Sequence, residues 1–248
     1  MQLIGLKSEI VGLNDDLLTK ILASLNSAAQ TLKDGDVLVV SSKVVALAQG
    51  RVAKLANRDD KSELRELVKQ ESDYFIPGEI VDFTLKYNII IPNAGIDKSN
   101  AADDLVILWP ENPQAYTDQL RQSLMQKFAL KKLGVILNDS RCQPLRQGVS
   151  GISLTYSGII GVEDRRGEPD LFGRELKITK EAKADALAVA ANLVMGEGNE
   201  AIPFVIARNA PVRFTDEPQD SIALQYIAPE DCIFGTIFQF DGMNNKAV

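Results

Sequence analysis

The chain has 248 residues, of which 45% are hydrophobic and 25% charged, and its formal net charge is −7 at pH 7. These values exclude disordered and fibrous proteins, and the acidic balance argues against non-specific nucleic-acid binding, which depends on basic residues that neutralise phosphates. The complete absence of histidine excludes Ser-His-Asp and Cys-His catalysis and histidine-containing zinc sites.

The first half of the chain predicts short strands alternating with helices. The expected elements are a strand with its exit loop over 2–11, a helix over 15–32 capped by Asn14, a buried strand over 37–40 leading into Ser41-Ser42-Lys43, a helical segment over 44–49, a charged helix over 58–72, β-rich runs over 80–83 and 87–91, and a short strand over 106–110. Acids in the first turn support the first helix, because they complement its dipole.

The second half predicts fewer and longer elements. They are a helix over 113–130, a strand over 133–137, a strand over 152–162 bent at Ser157-Gly158, a polar turn over 163–169, a helix over 181–195, a strand over 203–207, a late strand over 233–238 and a frayed end over 241–248. The strands do not alternate cleanly with helices. We therefore expect a mixed α+β fold rather than a doubly wound sheet, in a single unit over residues 1–248 that can comprise two interleaved subdomains.

The compartment is indicated by cysteine usage and by the N-terminus. Cys142 and Cys232 are too few for a disulfide framework and are interpreted as reduced thiols. The N-terminus lacks a basic segment followed by an apolar core, and no apolar run approaches the length of a membrane span. We expect a soluble cytoplasmic protein that binds small molecules, without nucleic-acid or membrane partners.

Three polar loops each place an acid among small or glycine residues at the end of a predicted element. They lie at 93–100, 139–148 and 196–199, and their acids are Asp97, Asp139 and Glu197. Glycine lets the backbone approach a ligand closely, and carboxylates are hard ligands that suit Mg²⁺ or Mn²⁺. Together the loops predict a nucleotide–metal site, although neither a GxGxxG nor a GxxxxGK[ST] loop is present. The alternative is three ordinary turns, in which Asp97 caps a turn with Ser99 and Glu197 follows a helix end.

The middle loop has the densest set of candidate groups. Asp139 and Ser140 offer oxygen ligands for a metal, and Arg141 and Arg146 offer fixed positive charge for phosphate oxygens. The alternative here is a polar loop in which Asp139 pairs with an arginine on the surface, an interaction that is usually worth little.

Four segments resemble the coenzyme F420-0:γ-glutamyl ligase family, in the same order along the chain. They are NAGIDKSN at 93–100, LNDSRCQPLRQGVSG at 137–151, PDLFGRELKIT at 169–179 and NLVMGEG at 192–198, and the resemblance runs from Glu9 to about residue 210. It implies an enzyme that adds L-glutamate to the terminal carboxylate of a cofactor, using GTP with divalent or monovalent cations such as K⁺. It also implies a mixed fold particular to this family, in an intertwined homodimer.

The resemblance assigns roles to individual residues. Metal ligands would be Asp97, Asp139, Ser140 and Glu197. Nucleotide contacts would be Glu9, Ile10, Val11, Ser42, Lys43, Asn100, Val194, Met195, Gly196, Gly198 and Asn199. Arg146 matches a family arginine and, with Asp139 and Glu197, is expected to serve catalysis.

Two departures from the family pattern concern substrate choice. Leu47 stands where the family has a second lysine that contacts the nucleotide, and Arg141-Cys142-Gln143 changes the position of an arginine in the middle loop. GTP and ATP therefore both remain candidate nucleotides, and the acceptor is expected to be F420-0 or, alternatively, a folate. A third hypothesis, favoured only by Leu47, is a non-catalytic nucleotide-binding scaffold.

Overall fold

The computed structural model describes residues 1–57, 60–101 and 104–235. Its strands are β1 (Gln2–Leu6), β2 (Asp36–Ser41), β3 (Val52–Lys54), β4 (Tyr74–Ile76), β5 (Phe83–Lys86), β6 (Ile89–Pro92), β7 (Leu105–Ile107), β8 (Leu133–Cys142), β9 (Val149–Ser157), β10 (Val162–Asp164), β11 (Lys180–Ala182) and β12 (Phe204–Arg208). Its helices are α1 (Leu17–Ser27), α2 (Ser42–Ala48), α3 (Lys61–Glu71), α4 (Pro113–Phe128), α5 (Lys183–Met195) and α6 (Ser221–Gln225). Within these ranges, no helix has the length and apolar character needed to traverse a bilayer.

A mixed sheet forms the centre of the fold, in the order β1-β12-β2-β8-β9. The pair β2–β8 is parallel and the other pairs are antiparallel. Leu38 and Val40 of β2 pack into the apolar cluster that contains helices α1, α2 and α4, whereas Val37 and Val39 pack against α5. Burial on both faces explains the continuous apolar run in β2. The predicted α+β class is confirmed.

Smaller sheets flank the central one. Strands β3 and β7 form one pair, β4-β5-β6 form an antiparallel meander, and β10 pairs with β11. Leu55, Val106 and Leu108 form a separate apolar cluster, against which residues of α3 pack. The division of residues 1–248 into one unit or two interleaved subdomains stays a prediction.

Strand β8 is longer than the sequence indicated. The strand was predicted to end at Leu137, but β8 continues to Cys142, with Asp139 opposite Ile152 of β9. The polar residues stay in the strand because β9 pairs with their backbone groups, which is a non-local interaction. A register shift follows Leu137, as in a β-bulge. Asp139 is thus part of the central sheet rather than of a loop.

Several other predicted boundaries are also wrong. Asp16, not Asn14, caps α1, since the Asp16 carboxylate accepts a hydrogen bond from Leu18 N and Asn14 has a φ of 59°. Residues 80–82 precede the strand, which begins at Phe83. Strands β5 and β6 form a hairpin whose turn residues Tyr87 and Asn88 have φ values of 50° and 61°.

Further differences concern element bounds and two predicted strands. The strand predicted over 152–162 is divided into β9, which ends at Ser157, and β10, which begins at Val162. The helical segment predicted over 44–49 begins two residues earlier, because Ser42 and Lys43 form the first turn of α2. Residues 233–235 form a turn rather than a strand. Residues 58–59 of the predicted charged helix, 236–238 of the late strand and the segment 241–248 lie outside the described residues. The helices over 113–128 and 183–195, the strand over 204–208 and the bend at Gly158 agree with the predictions.

An ion pair between the buried carboxylate of Asp82 and the partly exposed Arg65 holds the turn that precedes Asp97. Arg65 donates to both carboxylate oxygens of Asp82, at 3.0 and 2.8 Å, and Asp82 exchanges backbone and side-chain hydrogen bonds with Asn93. The guanidinium of Arg65 holds the pKa of Asp82 below its ordinary value. The ion pair thus stabilises the fold at pH values above the ordinary aspartate pKa. This stabilisation is lost as the pH falls through the lowered pKa of Asp82.

We expect Asp82→Asn to lower the free energy of unfolding by about 1–2 kcal/mol at pH 7, since a charge-assisted hydrogen bond is lost at a partly exposed arginine. The difference in the free energy of unfolding between the variant and wild type should decrease below roughly pH 4, where the Asp82 carboxylate of the wild type becomes protonated. Urea unfolding between pH 7 and pH 3 measures both effects. Asp104→Asn, in an exposed pair at 4.0 Å, is the matched control and should change stability by less than about 0.5 kcal/mol. A difference that persists undiminished at pH 3 would contradict the ionic origin.

Candidate functional site

A cavity of about 600 Å³ opens at the carboxyl ends of the parallel strands β2 and β8. Its walls come from the segment after β1, the start of α2, the end of β8 and the loop that follows α5. The lining residues predicted from the sequence are Glu9, Ile10, Val11, Lys43, Asn100, Asp139, Ser140, Met195, Gly196, Glu197, Gly198 and Asn199. This volume is in the range of small-molecule and cofactor sites.

Asp139 lies where β8 reaches the cavity. Its Oδ1 accepts the backbone N–H of Ser140 at 2.8 Å, and its Oδ2 accepts the indole N–H of Trp109. Burial raises the pKa of Asp139 to about 6, against the opposing effects of these hydrogen bonds, of the Ser42 hydroxyl and of the Lys43 charge. The protein thus compensates the negative charge of Asp139 only incompletely. Such a carboxylate is suited to bind a cation.

Lys43 connects the cavity to Asp97. The ammonium of Lys43 lies 2.5 Å from Asp97 Oδ2 and donates to Ser99 Oγ at 3.0 Å. Ser99 N also donates to Asp97 Oδ1 at 2.6 Å. Burial opposes ionisation of Asp97, but Lys43 and Ser99 outweigh it and hold the pKa of Asp97 below its ordinary value. The predicted interaction between Asp97 and Ser99 is therefore present, together with an ion pair that the sequence did not indicate.

The loop after α5 carries Glu197 into the cavity wall. Asn192 of α5 donates to Glu197 Oε1 at 2.7 Å, and its own Oδ1 accepts from Asn138 Nδ2 at 3.0 Å. Gly196 has a φ of 74°, and a Cβ there would lie 2.3 Å from Cδ of Glu200. The positive φ favours glycine at this position, whereas the Glu200 carboxylate lies at the end of a flexible side chain and could move. Two amides thus link Glu197 to β8.

Four of the predicted site residues do not line the cavity. Ser42 is buried beside Asp139 and Asp97 is bound to Lys43. Val194 packs near Gly5, on the side of the sheet that α5 covers. Arg146 is exposed, in the connection between β8 and β9. Their assigned roles stay predictions.

The two departures from the family pattern lie in different places. Leu47 lines the cavity and provides an apolar surface beside Val44 and Ile202. The segment Arg141-Cys142-Gln143 lies where β8 ends, and Cys142 is an exposed free thiol. Leu47 is therefore positioned to contact a cavity ligand directly.

The predicted metal ligands supply oxygen donors of the kind that Mg²⁺ and Mn²⁺ prefer. Across the described parts of the chain, however, no three His, Cys, Asp or Glu side chains lie close enough together to form a metal-binding group. Mg²⁺ is commonly bound through one or two carboxylates, with phosphate oxygens and water completing its shell. Asp139, whose pKa is raised by burial, and the neighbouring Ser140 hydroxyl are suited to supply the protein's oxygen ligands in such a coordination shell.

Sequence reasoning did not identify Trp109, Asn138, Asn192 or Glu200 as site residues. Asn138, Asn192 and Glu200 line the cavity, and Trp109 contacts Asp139 from the side. The sequence did indicate that Trp109 would need a partner, because a buried indole N–H requires a hydrogen-bond acceptor. Which acceptor it finds depends on contacts between strands that are distant in sequence.

Comparison with known proteins identifies the family. Residues 5–209 match the family described as F420-0:Gamma-glutamyl ligase. The coenzyme F420:L-glutamate ligase of Methanococcus maripaludis is 38% identical over 232 residues, covering 87% of this chain and 91% of that protein. The enzymes of the same name from Methanothermobacter thermautotrophicus and Methanocaldococcus jannaschii are 33% and 35% identical, covering 85% and 84% of this chain and 90% of each relative. The chain thus belongs to the F420-0:gamma-glutamyl ligase family and is an amide-bond-forming ligase.

Proposed function

We propose that the chain adds L-glutamate to the terminal carboxylate of coenzyme F420-0, with a nucleoside triphosphate and Mg²⁺ or Mn²⁺. The observation that carries this proposal is the cavity at the ends of β2 and β8, whose lining includes Asp139, Ser140, Glu197 and Lys43. The names of the relatives favour F420-0 as the acceptor over a folate.

The nucleotide is proposed to lie along the cavity between the 9–11 segment and the loop after α5. Lys43 would donate to phosphate oxygens, because its ammonium has three N–H donors and lines the cavity. Leu47, Val44 and Ile202 would contact an apolar face of the ligand. Asp139, Ser140 and Glu197 would hold the divalent cation, which when bound neutralises charge on the transferring phosphoryl group.

The first chemical step is proposed to activate the acceptor. A carboxylate does not lose oxide to an amine at neutral pH, so an oxygen of the acceptor carboxylate attacks the γ-phosphorus and the nucleoside diphosphate leaves. The product is an acyl phosphate. The contribution of this chain is to position the reactants and balance their charge, for which Lys43 and the polar cavity wall are available. Arg146 would have to approach from the β8–β9 connection.

The second step is proposed to form the amide. The glutamate nitrogen attacks the acyl carbon, inorganic phosphate leaves and the nitrogen releases a proton. Glu197 is the carboxylate we assign as proton acceptor, since it lines the cavity and Asn192 fixes one of its oxygens at 2.7 Å. No histidine is needed in this scheme, in agreement with the composition.

Product mass spectrometry tests the proposed function. The purified protein is incubated with L-glutamate, Mg²⁺ or Mn²⁺ and either GTP or ATP, with F420-0 in one arm and tetrahydrofolate in the other. We expect F420-0 to gain the mass of one or more glutamyl residues, with release of phosphate. Product in the folate arm alone would establish the alternative acceptor. Nucleotide binding without glutamylation in either arm would favour the scaffold hypothesis. A parallel arm with K⁺ tests the monovalent cation.

We also propose that the protein is a homodimer and that its location is cytoplasmic. Three apolar side chains between β10 and β11 are exposed in the single chain, namely Leu171, Phe172 and Ile178 at 100%, 82% and 88%. Isolated exposed apolar residues are common, but three lie within residues 171–178, and we propose that a second copy covers this segment.

We expect Phe172→Asp to convert a dimer into a monomer, because a charge placed in an apolar interface cannot be solvated there. Light scattering coupled to size-exclusion chromatography measures the mass. Phe172→Leu is the matched control and should remain dimeric. A wild-type protein of monomer mass at tens of micromolar would refute the homodimer, and a dimeric Phe172→Asp variant would place the interface elsewhere.

A further inference from the structure

Trp109 is the only tryptophan in the chain, and its indole is buried, with 2% of its surface exposed. A buried indole N–H requires a hydrogen-bond acceptor. In this fold the acceptor is Oδ2 of Asp139, a carboxylate that lines the cavity. The ring therefore contacts a cavity residue without lining the cavity itself.

The surrounding residues fix the position of this ring. The Tyr87 ring stacks on Trp109 with centroids 6.1 Å apart and planes inclined by 4°, and the Tyr87 hydroxyl donates to the backbone oxygen of Pro110 at 3.0 Å. Gly95 has a φ of 73°, and a Cβ there would lie 2.2 Å from Nε1 of Trp109. Any side chain at position 95 would thus displace the indole N–H. The approach of Trp109 to Asp139 depends on this glycine.

The hydrogen bonds on Asp139 define the orientation of its carboxylate. Oδ1 receives the backbone N–H of Ser140, and Oδ2 receives the indole N–H. The Ser42 hydroxyl is a third donor to this carboxylate. Because a carboxylate has about four lone-pair sites, three donors still leave acceptor capacity for a cation. Partners that orient metal ligands in this way typically change metal affinity by roughly 10–100-fold when they are removed.

We propose that Trp109 is a positioning residue, whose indole N–H orients the Asp139 carboxylate toward a divalent cation in the cavity. This inference rests on the proposed function, in which Asp139 is a cation ligand. It adds that an aromatic side chain outside the cavity sets the affinity for that cation. The competing explanation is that Trp109 only fills the core and satisfies its N–H with the nearest acceptor.

A single-atom replacement separates these explanations. Because the chain has one tryptophan, growth of a tryptophan auxotroph on β-(3-benzothienyl)alanine changes only position 109. The analogue keeps the shape of the fused ring and replaces the N–H with sulfur. The full chain is then titrated with Mn²⁺ alone, and free Mn²⁺ is measured by electron paramagnetic resonance. Thermal unfolding without metal is recorded in parallel.

We expect Mn²⁺ to bind the analogue-containing protein roughly 10–100-fold more weakly than the native protein. Asp139→Asn should weaken binding as well, and the analogue should add no further loss in the Asp139→Asn background, because both changes act through one carboxylate. Unchanged Mn²⁺ affinity in the analogue, whatever happens to the unfolding temperature, would overturn the inference. The inference would also be overturned if the analogue weakened Mn²⁺ binding by the same factor in the native protein and in the Asp139→Asn variant. If native protein and Asp139→Asn bind Mn²⁺ equally weakly, the proposed cation site itself is wrong, which is a distinct outcome.

Discussion

Asp139→Asn is expected to lower kcat for glutamyl transfer on the order of 10³-fold, because a metal ion in the cavity contributes several kcal/mol of charge stabilisation and this carboxylate is its proposed ligand. The substitution preserves the size of the side chain and removes its charge. Metal-free protein should stay folded, since the amide oxygen retains one of the two hydrogen bonds that Asp139 accepts from Ser140 and Trp109.

Steady-state phosphate release at saturating nucleotide, glutamate and acceptor measures the effect, and circular dichroism reports the fold. Asp104→Asn is a matched control, because Asp104 is an exposed aspartate whose ion pair is only 4.0 Å long, and it should keep wild-type kcat. A large excess of Mn²⁺ should partly restore a variant whose defect is weak cation binding. Activity within a factor of about three of wild type at low metal would show that Asp139 is not part of the catalytic centre.

The sequence was informative about Asp139 but not about its surroundings. An acid among small and basic residues after an apolar run indicated a site, and Asp139 does line the cavity. The strand was nevertheless predicted two residues short of Asp139, because its continuation depends on pairing with β9, which local composition does not encode. The contact with Trp109, 30 residues away, depends on the path of the chain through β7 and the turn at Gly95.

Asp97 shows a second limit of prediction from the sequence. Hard-ligand chemistry and the family resemblance both assigned Asp97 to a metal, and neither predicted that the ammonium of Lys43 would lie 2.5 Å from it. Lys43 belongs to α2 and Asp97 to the turn after β6, so only the tertiary fold brings them together. Helices α4 and α5, in contrast, were predicted to within about two residues, because apolar periodicity and small-residue spacing are local properties.

The charge distribution in the cavity makes Lys43 the critical cation. Among the described residues that line it, Lys43 is the one lysine or arginine, whereas Glu9, Asp139, Glu197 and Glu200 are acidic. A triphosphate entering this cavity would meet mainly negative side chains. If the proposed nucleotide binds here, divalent cations and Lys43 would together have to offset its charge. Leu47, which replaces the second lysine expected from the family, leaves no other ammonium on this face of α2.

Lys43→Met is expected to raise KM for the nucleotide by about 10–100-fold, since a charge-assisted hydrogen bond contributes about 1.5–3 kcal/mol and methionine retains most of the side-chain length. Lys54→Met provides the control, because Lys54 is 74% exposed and lies in a weak ion pair at 4.0 Å. Its kinetic constants should not change. Isothermal titration with a non-hydrolysable nucleotide analogue measures binding separately from turnover.

The ion pair with Asp97 allows a decisive second comparison. If Lys43 acted only by neutralising Asp97, the double variant Lys43→Met/Asp97→Asn would recover wild-type affinity, because no unpaired carboxylate would remain. If Lys43 binds phosphate oxygens, the double variant should stay as weak as Lys43→Met, and Asp97→Asn alone should weaken binding less because the ammonium is still present. The coupling energy from this double-mutant cycle distinguishes the two roles. Full recovery in the double variant would therefore remove Lys43 from the proposed nucleotide site and leave it as the residue that keeps Asp97 ionised.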